Sequence, residues 1–168
     1  TAMFQLTRYD RNPILSPHPS NEWEDEAVFN PAVQYKDGIT YLLYRAIGEY
    51  ESYTSRIGLA TSEDGFSFTR ASGEPVLVPE AEYECGAIED PRATVIDGTI
   101  YLTYTALPNP VNPGGDVANV DAQPNLPSVA LATTTDCRTF ERRGVISPPN
   151  VEDKNAVMFS EKVNGRFA

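Results

Sequence analysis

Two stretches of the sequence share one pattern, and together they decide the fold. Residues 30–46 read NPAVQYKDGITYLLYRA and residues 90–106 read DPRATVIDGTIYLTYTA, at a constant offset of 60 residues without a gap. In each copy an Asp-Gly pair separates two runs rich in β-branched and aromatic residues. Asp-Gly between apolar runs is among the strongest short-range hairpin signals, because glycine readily adopts the positive φ of a tight turn. Each copy therefore predicts a β-hairpin.

A second hairpin is predicted after each copy. Its turn contains Glu63-Asp64-Gly65 in the first repeat and Thr135-Asp136 in the second. A third copy opens at Ala156-Val157-Met158-Phe159 and turns at Asn164-Gly165. The predicted strands are Ala32–Tyr35, Thr40–Ala46, Arg56–Thr61, Ala93–Ile96, Thr99–Thr105 and Ser128–Thr133.

Two hairpins in each repeat make a four-stranded unit, and such units repeated along a chain are the blades of a β-propeller. We therefore predict an all-β protein, a single partial propeller domain over residues 1–168, with blade repeats near 30–70 and 90–143 and a third starting at 156. A sandwich of several hairpins is the alternative. Closed propellers have roughly four to eight blades. We therefore expect a fragment, or a chain that covers its open edges by homo-oligomerisation or by association with a missing C-terminal part.

The composition restricts the class of function. The 168 residues carry 13 Lys and Arg against 24 Asp and Glu, and this net charge of −11 disfavours nucleic-acid binding. No apolar run approaches the length of a membrane span, and the first residues lack a signal-peptide pattern. Cys85 and Cys137 form neither a disulfide framework nor a metal cluster. We expect a cytoplasmic protein that does not contact a membrane and needs no metal.

Five motifs follow one another in a characteristic order and spacing. They are Asn30-Pro31-Ala32-Val33, Tyr44-Arg45-Ala46, Ser62-Glu63-Asp64-Gly65, Glu89-Asp90-Pro91-Arg92 and Phe159-Ser160-Glu161-Lys162-Val163-Asn164-Gly165. In these motifs the chain resembles the first half of glycoside hydrolase family 130, which comprises β-mannoside phosphorylases and some β-1,2-mannosidases on a five-bladed propeller. The resemblance places about the first two and a half blades in this chain. It departs from the family at Ser160, where proline is more usual, and at Cys137, the usual turn glycine.

The resemblance implies cleavage of β-mannosidic linkages by inverting phosphorolysis. The substrate is then a β-mannoside oligosaccharide, and inorganic phosphate is the nucleophile and co-substrate, with no other cofactor. Phosphorolysis needs one placed acid, polar groups for the sugar hydroxyls and cations for the phosphate. One alternative is inverting hydrolysis by a β-1,2-mannosidase, which needs a second carboxylate to activate water. The other is a non-catalytic propeller that binds glycans or serves as a scaffold.

Asp90 is the best candidate for the acid. Its place before Pro91 predicts an extended backbone that fixes the direction of the side chain. The apolar run 85–88 predicts a raised pKa of its carboxyl group. From the residues alone, the alternative is an aspartate that caps a turn and pairs with Arg92. The resemblance implies that Asp90 is the general acid, which relays its proton through a mannose hydroxyl.

Asn30 has the same repeat position as Asp90, so the repeat predicts that the two side chains face one cavity. The amide of Asn30 offers both a donor and an acceptor to sugar hydroxyls, and the resemblance implies that it contacts the mannose. From the same motif as Asp90, we place Glu89 and Arg92 among the substrate-binding residues.

Arg45 ends an otherwise apolar strand, and its repeat counterpart is Thr105. A buried cation is costly unless it meets an anion or a ligand. The resemblance implies that Arg45 contacts the mannose. The alternative is a salt bridge to Glu49 or Glu51.

Cations for phosphate occur later in the chain. The resemblance implies that an Arg and a Lys or Arg of this stretch bind phosphate. The candidates are Arg142 or Arg143, which the sequence does not distinguish, and Lys154, with ordinary solvated charges as the alternative. Glu161 is the residue that a hydrolase would recruit as a base, or else it forms a structural ion pair.

Other features give weaker signals. Trp23 either stacks on a sugar ring or covers the entrance of the first blade, and the acidic run around it does not have the spacing of a calcium loop. The proline-rich stretch 107–127 either forms a wall beside the acceptor sugar or is a disordered insertion.

Overall fold

The computed structural model describes residues 5–108 and 126–168, which contain two four-stranded antiparallel sheets. We call these sheets blade 1 and blade 2. In both, the strands lie side by side in chain order. Blade 1 consists of β1 (Ala27–Lys36), β2 (Ile39–Ile47), β3 (Arg56–Ser62) and β4 (Thr69–Arg70). Blade 2 consists of β5 (Ala87–Ile96), β6 (Thr99–Leu107), β7 (Ser128–Thr134) and β8 (Glu141–Val145), and a short 3-10 helix, Glu82–Glu84, precedes it.

Both predicted Asp-Gly turns form tight hairpins. Asp37 and Gly38 have φ values of 53° and 82°, and Asp97 and Gly98 have φ values of 51° and 80°. Positive φ at both central residues gives the turn a twist that matches the right-handed twist of the flanking strands. Strand pairing begins with the residues on either side of each turn. The prediction of an all-β fold built from four-stranded units is confirmed.

The first strand of each blade begins several residues earlier than predicted. Pairing continues past Pro31 and Pro91, although proline cannot donate a ladder hydrogen bond. It continues because the register shifts at both places, between Phe29 and Ala32 in β1 and at the equivalent point of β5. Such β-bulges accommodate proline and bend the strand. We call β1 and β5 the inner strands. Each inner strand therefore continues past its bulge for several paired residues.

The two blades adjoin through their first strands, β1 and β5. Gln34 Nε2 donates to the carbonyl of Ala93 at 2.7 Å, and the amide of Ile88 donates to the carbonyl of Ser55 at 3.3 Å. One cluster of buried apolar side chains joins the blades, and it includes Leu43, Ile57, Leu59, Ile88, Ile100, Leu102 and Tyr104. Equivalent positions of β1 and β5 are therefore held next to each other.

A buried glutamate ties the outer strand of blade 1 to its second strand. Glu24 accepts hydrogen bonds from Tyr44 Oη at 2.9 Å and from Arg70 Nε at 2.7 Å. Burial, reinforced by Glu24, raises the pKa of Tyr44, so the phenol stays protonated and donates. Trp23 stacks on the ring of Tyr44 and donates from Nε1 to the carbonyl of Gly73 at 2.7 Å. Trp23 thus covers blade 1, which was one of its two predicted roles.

Blade 2 repeats this buried group. Glu84 accepts hydrogen bonds from Tyr104 Oη and from Arg142 Nε, both at 2.6 Å. Arg142 also pairs with Glu80 at 3.0 Å. The same three residue types therefore close both blades at equivalent positions, and a buried carboxylate needs such partners.

The third copy of the repeat forms its predicted turn but no strand among the described residues. Asn164 and Gly165 have φ values of 52° and 75°, and Val163 and Arg166 pair across the turn. The stretch 156–159 has no ladder partner in the described part of the chain. Instead, its carbonyl groups accept hydrogen bonds from side chains of blade 2. Association with a second copy or with further blades stays a prediction.

The predicted loop at 107–127 falls mostly on residues 109–125, which lie outside the described residues. Its predicted position beside the acceptor sugar stays a prediction. Within residues 5–108 and 126–168, no helix has the length and apolar character needed to cross a membrane.

Candidate active site

Asn30 and Asp90 lie at the bulges of the two inner strands. Both have a left-handed backbone, with φ values of 44° and 47°. The prediction of an extended backbone before Pro91 is therefore wrong: the bulge imposes a conformation that is unfavourable before proline. Asn30 Nδ2 donates to Asp90 Oδ1 at 2.9 Å, so the structure brings the two predicted residues together. Backbone strain at non-glycine residues clusters at functional sites.

Arg45 joins this pair from β2 and is buried, with 6% of its surface exposed. Its Nη1 donates to Asp90 Oδ1 at 3.0 Å, and its Nη2 donates to Glu89 Oε1. Its Nε donates to Ser55 Oγ at 2.9 Å. The carboxylate partners of Arg45 thus come from β5 of the neighbouring blade, and not from the acidic loop that follows β2. We call Asn30, Arg45, Glu89 and Asp90 the bulge cluster.

The two neighbouring carboxyl groups of the bulge cluster have pKa values shifted in opposite directions. Burial raises the pKa of Glu89, and the positive charges of Arg45 and Lys154 only partly offset this effect. Burial also acts to raise the pKa of Asp90, but hydrogen bonds from Asn30 and Arg45 outweigh it, so the pKa is lowered. The expected raised pKa of Asp90 is therefore wrong, because the apolar run before it has less influence than these two donors.

Arg92 is directed at the backbone of its own motif. Its Nη1 donates to the carbonyls of Asp90 and Pro91 at 3.1 and 2.9 Å. Its Nη2 donates to Asn155 Oδ1 at 3.3 Å. Arg92 therefore braces the bulge and connects it to the chain beyond blade 2. Its contact with Asp90 is through the main chain and is not the side-chain ion pair of the alternative prediction.

Lys154 is near the bulge cluster, whereas the arginines at 142 and 143 are not. The charge of Lys154 acts on Glu89, and its carbonyl accepts a hydrogen bond from Thr105 Oγ1. Arg142 and Arg143 lie on β8, which is three strand spacings from β5, or about 14 Å.

Both arginines of β8 already have carboxylate partners. Arg142 is held by Glu84 and Glu80, and Arg143 pairs with Glu141 at 2.7 Å. Phosphate binding by Arg142 and Arg143 stays a prediction, and in this structure a phosphate would have to compete with these carboxylates. A signal for this was present in the sequence, because Arg142 lies six residues after the turn residue Asp136, just as Arg70 lies six residues after Asp64.

Two aromatic side chains beside Arg45 were not predicted. The Arg45 guanidinium lies 4.7 Å from the ring centre of Phe29 and 5.8 Å from that of Tyr53. Counting from the Asp-Gly turn places Arg45 opposite residue 30, and the bulge moves the pairing to Phe29. The sequence analysis did not foresee this bulge, so Phe29 was not found. Tyr53 belongs to the loop after β2 and has a φ of 51°, and no sequence pattern indicates its position.

The chemistry of the bulge cluster is that of a carboxyl group surrounded by hydrogen-bond donors and cations. Asp90 is 18% exposed in its side chain, so a ligand reaches it, whereas Glu89 is buried beneath Arg45. Such a site can hold an anion or a sugar hydroxyl and exchange a proton with it. In the described part of the chain, no group of three or more His, Cys, Asp or Glu side chains is arranged to hold a metal ion.

Two consecutive four-stranded antiparallel sheets, which adjoin through their first strands, are blades of a β-propeller. The chain belongs to glycoside hydrolase family 130. The profile of that family, described as β-1,4-mannooligosaccharide phosphorylase, matches residues 7–167. The predicted family resemblance is confirmed, and so is the propeller architecture.

Several known proteins are similar to this chain. A 1,2-β-oligomannan phosphorylase of Thermoanaerobacter sp. (strain X514) is 40% identical over 98% of this chain and 52% of its own length. The structure of a β-1,2-mannobiose phosphorylase from Listeria innocua, in complex with β-1,2-mannobiose, matches with a TM-score of 0.69 and 25% identity, over 95% of this chain and 56% of that one. A glycosyl hydrolase from Bacteroides ovatus matches with a TM-score of 0.73 and 28% identity, over 95% and 48%. The chain spans about half the length of the curated relatives it matches.

Proposed function

We propose that the full-length protein cleaves β-mannosidic linkages by inverting phosphorolysis. A β-mannoside oligosaccharide is the substrate, phosphate is the nucleophile, and Asp90 is the general acid. The bond between the anomeric carbon and the leaving oxygen breaks, and phosphate forms a bond to that carbon from the opposite face. The proton of Asp90 ends on the leaving oxygen. The products are α-mannose 1-phosphate and the shortened saccharide.

One observation carries this proposal: Asp90 sits on a strained bulge, and residues of the neighbouring blade bind its carboxylate. Asn30 and Arg45 reach across from blade 1 to the same oxygen, Oδ1. Among the described residues no hydrogen bond reaches the other oxygen, Oδ2, which is the oxygen proposed to meet a ligand. A scaffold needs neither a left-handed backbone before proline nor a buried arginine between the two blades. The geometry therefore favours an active site over a purely structural role.

The acid role requires the pKa of Asp90 to rise when the substrates bind. Its donors lower that pKa in the free protein. A mannose ring placed over Asp90 removes water, and a phosphate anion adds negative charge beside it. Both changes favour the neutral carboxyl group. Substrate binding thereby converts an ionised carboxylate into a proton donor.

Two cations are available for the phosphate. Arg45 contacts Glu89, and the backbone of Lys154 is held by Thr105, which pairs with Glu89 in the ladder between β5 and β6. Arginine binds an oxyanion through several directed hydrogen bonds, and lysine binds it as a point charge. Arg45 and Lys154 are the proposed phosphate ligands of the described residues, and Asn30 and Arg45 are the proposed mannose contacts.

Hydrolysis is the competing reaction, because one of the similar structures is a glycosyl hydrolase. An inverting hydrolase needs a second carboxylate that is separated from the acid by the room for a water molecule. Glu89 is directly adjacent to Asp90, is 6% exposed and is paired with Arg45. It is therefore badly placed to activate water, so among the described residues of the bulge cluster the acid has no second carboxylate suited to hydrolysis.

The proposal is tested on the full-length protein with β-1,2- and β-1,4-linked mannobiose, each with and without inorganic phosphate. Proton and phosphorus NMR identify the products. We expect turnover that depends on phosphate and releases α-mannose 1-phosphate. Release of free mannose at the same rate without phosphate would establish the hydrolase instead. No turnover of either substrate would favour a non-catalytic propeller.

A further inference from the structure

Three threonines of blade 2 form a seam with the chain segment that follows β8. The hydroxyls of Thr105, Thr103 and Thr94 donate to the carbonyls of residues 154, 156 and 158, in that order. All three threonines are buried, and the last two bonds measure 2.6 and 3.0 Å. The accepting carbonyls belong to every second residue, which is the spacing of an extended chain that presents one edge. We call this the threonine seam.

The end of the threonine seam lies at the bulge cluster. Thr105 is paired with Glu89 across β5 and β6, and it is the repeat counterpart of Arg45. The side chain of Arg45, on blade 1, contacts β5 of blade 2. The side chain of Thr105, on blade 2, contacts the backbone of Lys154 in the segment after β8. In blade 1 the cation is therefore part of the strand itself. Between blade 2 and the segment after β8, the strand β6 supplies only the hydroxyl group of Thr105. The cation, Lys154, belongs to the segment that this hydroxyl binds.

Lys154 is anchored by two contacts on consecutive residues. Thr105 binds the carbonyl of Lys154, and Arg92 binds the side chain of Asn155. These contacts fix the backbone from which the lysine side chain starts, although the residue itself is exposed. A lysine side chain loses considerable rotamer entropy when its ammonium group binds a ligand. A fixed starting point reduces the further ordering that anion binding requires.

We propose that Thr105 is a positioning residue, which sets Lys154 as the second cation for phosphate beside Asp90. The proposal rests on the proposed phosphorolysis. Thr105 itself touches neither phosphate nor sugar. Its effect is on phosphate binding through the Lys154 backbone. The other seam threonines bind carbonyls further from Lys154 and hold the segment without this effect.

The test uses the full-length protein and inorganic phosphate as the varied substrate. Thr105→Val keeps the shape of the side chain and removes the hydroxyl. We expect KM for phosphate to rise roughly tenfold, as for the loss of one hydrogen bond. We expect kcat at saturating phosphate and KM for the mannoside to change less than about twofold. Thr105→Ser, which keeps the donor, restores the KM for phosphate.

A matched control comes from the other end of the threonine seam. Thr94→Val removes the same kind of hydrogen bond, to the carbonyl of Met158. It is expected to lower the melting temperature about as much as Thr105→Val, because each removes one part-buried hydrogen bond to a carbonyl of the segment. It should leave the KM for phosphate unchanged within about twofold. A general loosening of the segment would instead raise KM in both variants and would overturn the proposal.

A double-mutant cycle shows whether the effect passes through Lys154. Lys154→Met alone raises the KM for phosphate. Adding Thr105→Val to that variant should change KM by less than about twofold, because the group it positions is absent. An equal rise in both backgrounds, or no rise in the single variant, would overturn the positioning role. Absence of phosphorolysis in the wild-type protein would instead contradict the proposed function, so the two failures are distinguishable.

Discussion

Blade 1 and blade 2 share the same backbone but carry different side chains where they face each other. Both inner strands bulge at a residue before proline, and both close with a buried Glu-Tyr-Arg group. At the bulges, however, blade 1 has Asn30 and blade 2 has Asp90. One strand further, blade 1 has Arg45 and blade 2 has Thr105. Blade 1 therefore contributes a neutral hydrogen-bond donor and a cation to the site, and blade 2 contributes the acidic group.

This difference shows how a repeated fold produces an asymmetric site. The bulge is common to both blades, so it directs two equivalent side chains into contact whatever their chemistry. Only the unequal residues at equivalent positions create a charged partner for each group. Identical blades would place two aspartates or two asparagines together, and neither pair has the charge complementarity seen here.

The largest effect is expected when the carboxyl group of Asp90, which distinguishes the bulge of blade 2, is replaced. Asp90→Asn in the full-length protein keeps the shape of the side chain and removes its acidic proton. We expect kcat for phosphorolysis to fall by roughly 10² to 10⁴-fold. The control is Asp37→Asn, the same change at a left-handed turn of blade 1, which should leave kcat unchanged. Near-normal kcat in Asp90→Asn, measured by release of mannose 1-phosphate, would contradict the acid role.

The next effect concerns the cation that only blade 1 supplies. Arg45→Met leaves Glu89 buried without its partner, so we expect the free energy of unfolding to fall by about 3–5 kcal/mol. A second substitution, Glu89→Gln, removes the orphaned charge and should recover part of that loss. Denaturant unfolding followed by tryptophan fluorescence measures both variants. If Arg45→Met unfolds at the same denaturant concentration as the wild type, the buried Arg45–Glu89 pair does not stabilise the contact between the blades.

The buried glutamates test the features that the blades share. Glu24→Gln and Glu84→Gln each weaken one Glu-Tyr-Arg group, and we expect each to lower the free energy of unfolding by about 3 kcal/mol. The two losses should agree within about 1 kcal/mol, since each glutamate accepts hydrogen bonds from one tyrosine and one arginine at equivalent positions. Calorimetric melting of both variants provides the comparison. A large loss in one blade only would show that the two groups are not energetically equivalent.

The lowered pKa of Asp90 predicts a difference between two pH profiles. An acid must be protonated to act, so activity falls as pH rises through its pKa. The profile of kcat/KM follows the free protein, in which Asn30 and Arg45 lower that pKa, while kcat follows the substrate complex. We expect the fall in kcat to lie at higher pH than the fall in kcat/KM. Coincident profiles at saturating and limiting mannoside would contradict a rise of this pKa on binding.

The smallest effect concerns the outer hairpins. Burial acts to raise the pKa of Asp136, but hydrogen bonds from the amides of residues 139 and 138 outweigh it and lower the pKa to about 2. Amide hydrogen bonds likewise lower the pKa of Asp64 in blade 1. Because both folded-state values lie below the ordinary value, each group stabilises the protein above about pH 4 and loses this effect as pH falls further.

Melting temperatures between pH 7 and pH 2.5 test this prediction. We expect Asp136→Asn and Asp64→Asn each to reduce the acid sensitivity of the wild type slightly. The two hairpins should respond alike, since their hydrogen bonds correspond one to one. An unchanged pH dependence in both variants would show that these carboxylates do not contribute to acid unfolding.

Much of the fold could be predicted because its signals are local. Asp-Gly turns specify tight hairpins through backbone sterics alone, and the 60-residue offset then specifies that the hairpins recur. The same offset predicted that Asn30 and Asp90 face one cavity, and the structure places Asn30 Nδ2 2.9 Å from Asp90 Oδ1. Local signals failed at Pro91, because a bulge depends on the strand that pairs with it.

The sequence by itself determined the all-β architecture, the repeat, the family and the residue types at the bulges. Only the tertiary structure decided which charges meet. It paired Arg45 with the neighbouring blade, held Arg142 against Glu84, and brought Lys154 to Thr105 and Glu89. The physical reason is that turn and strand preferences act between neighbours in the chain. Electrostatic contacts depend on distances in space, and those distances exist only once the blades have packed.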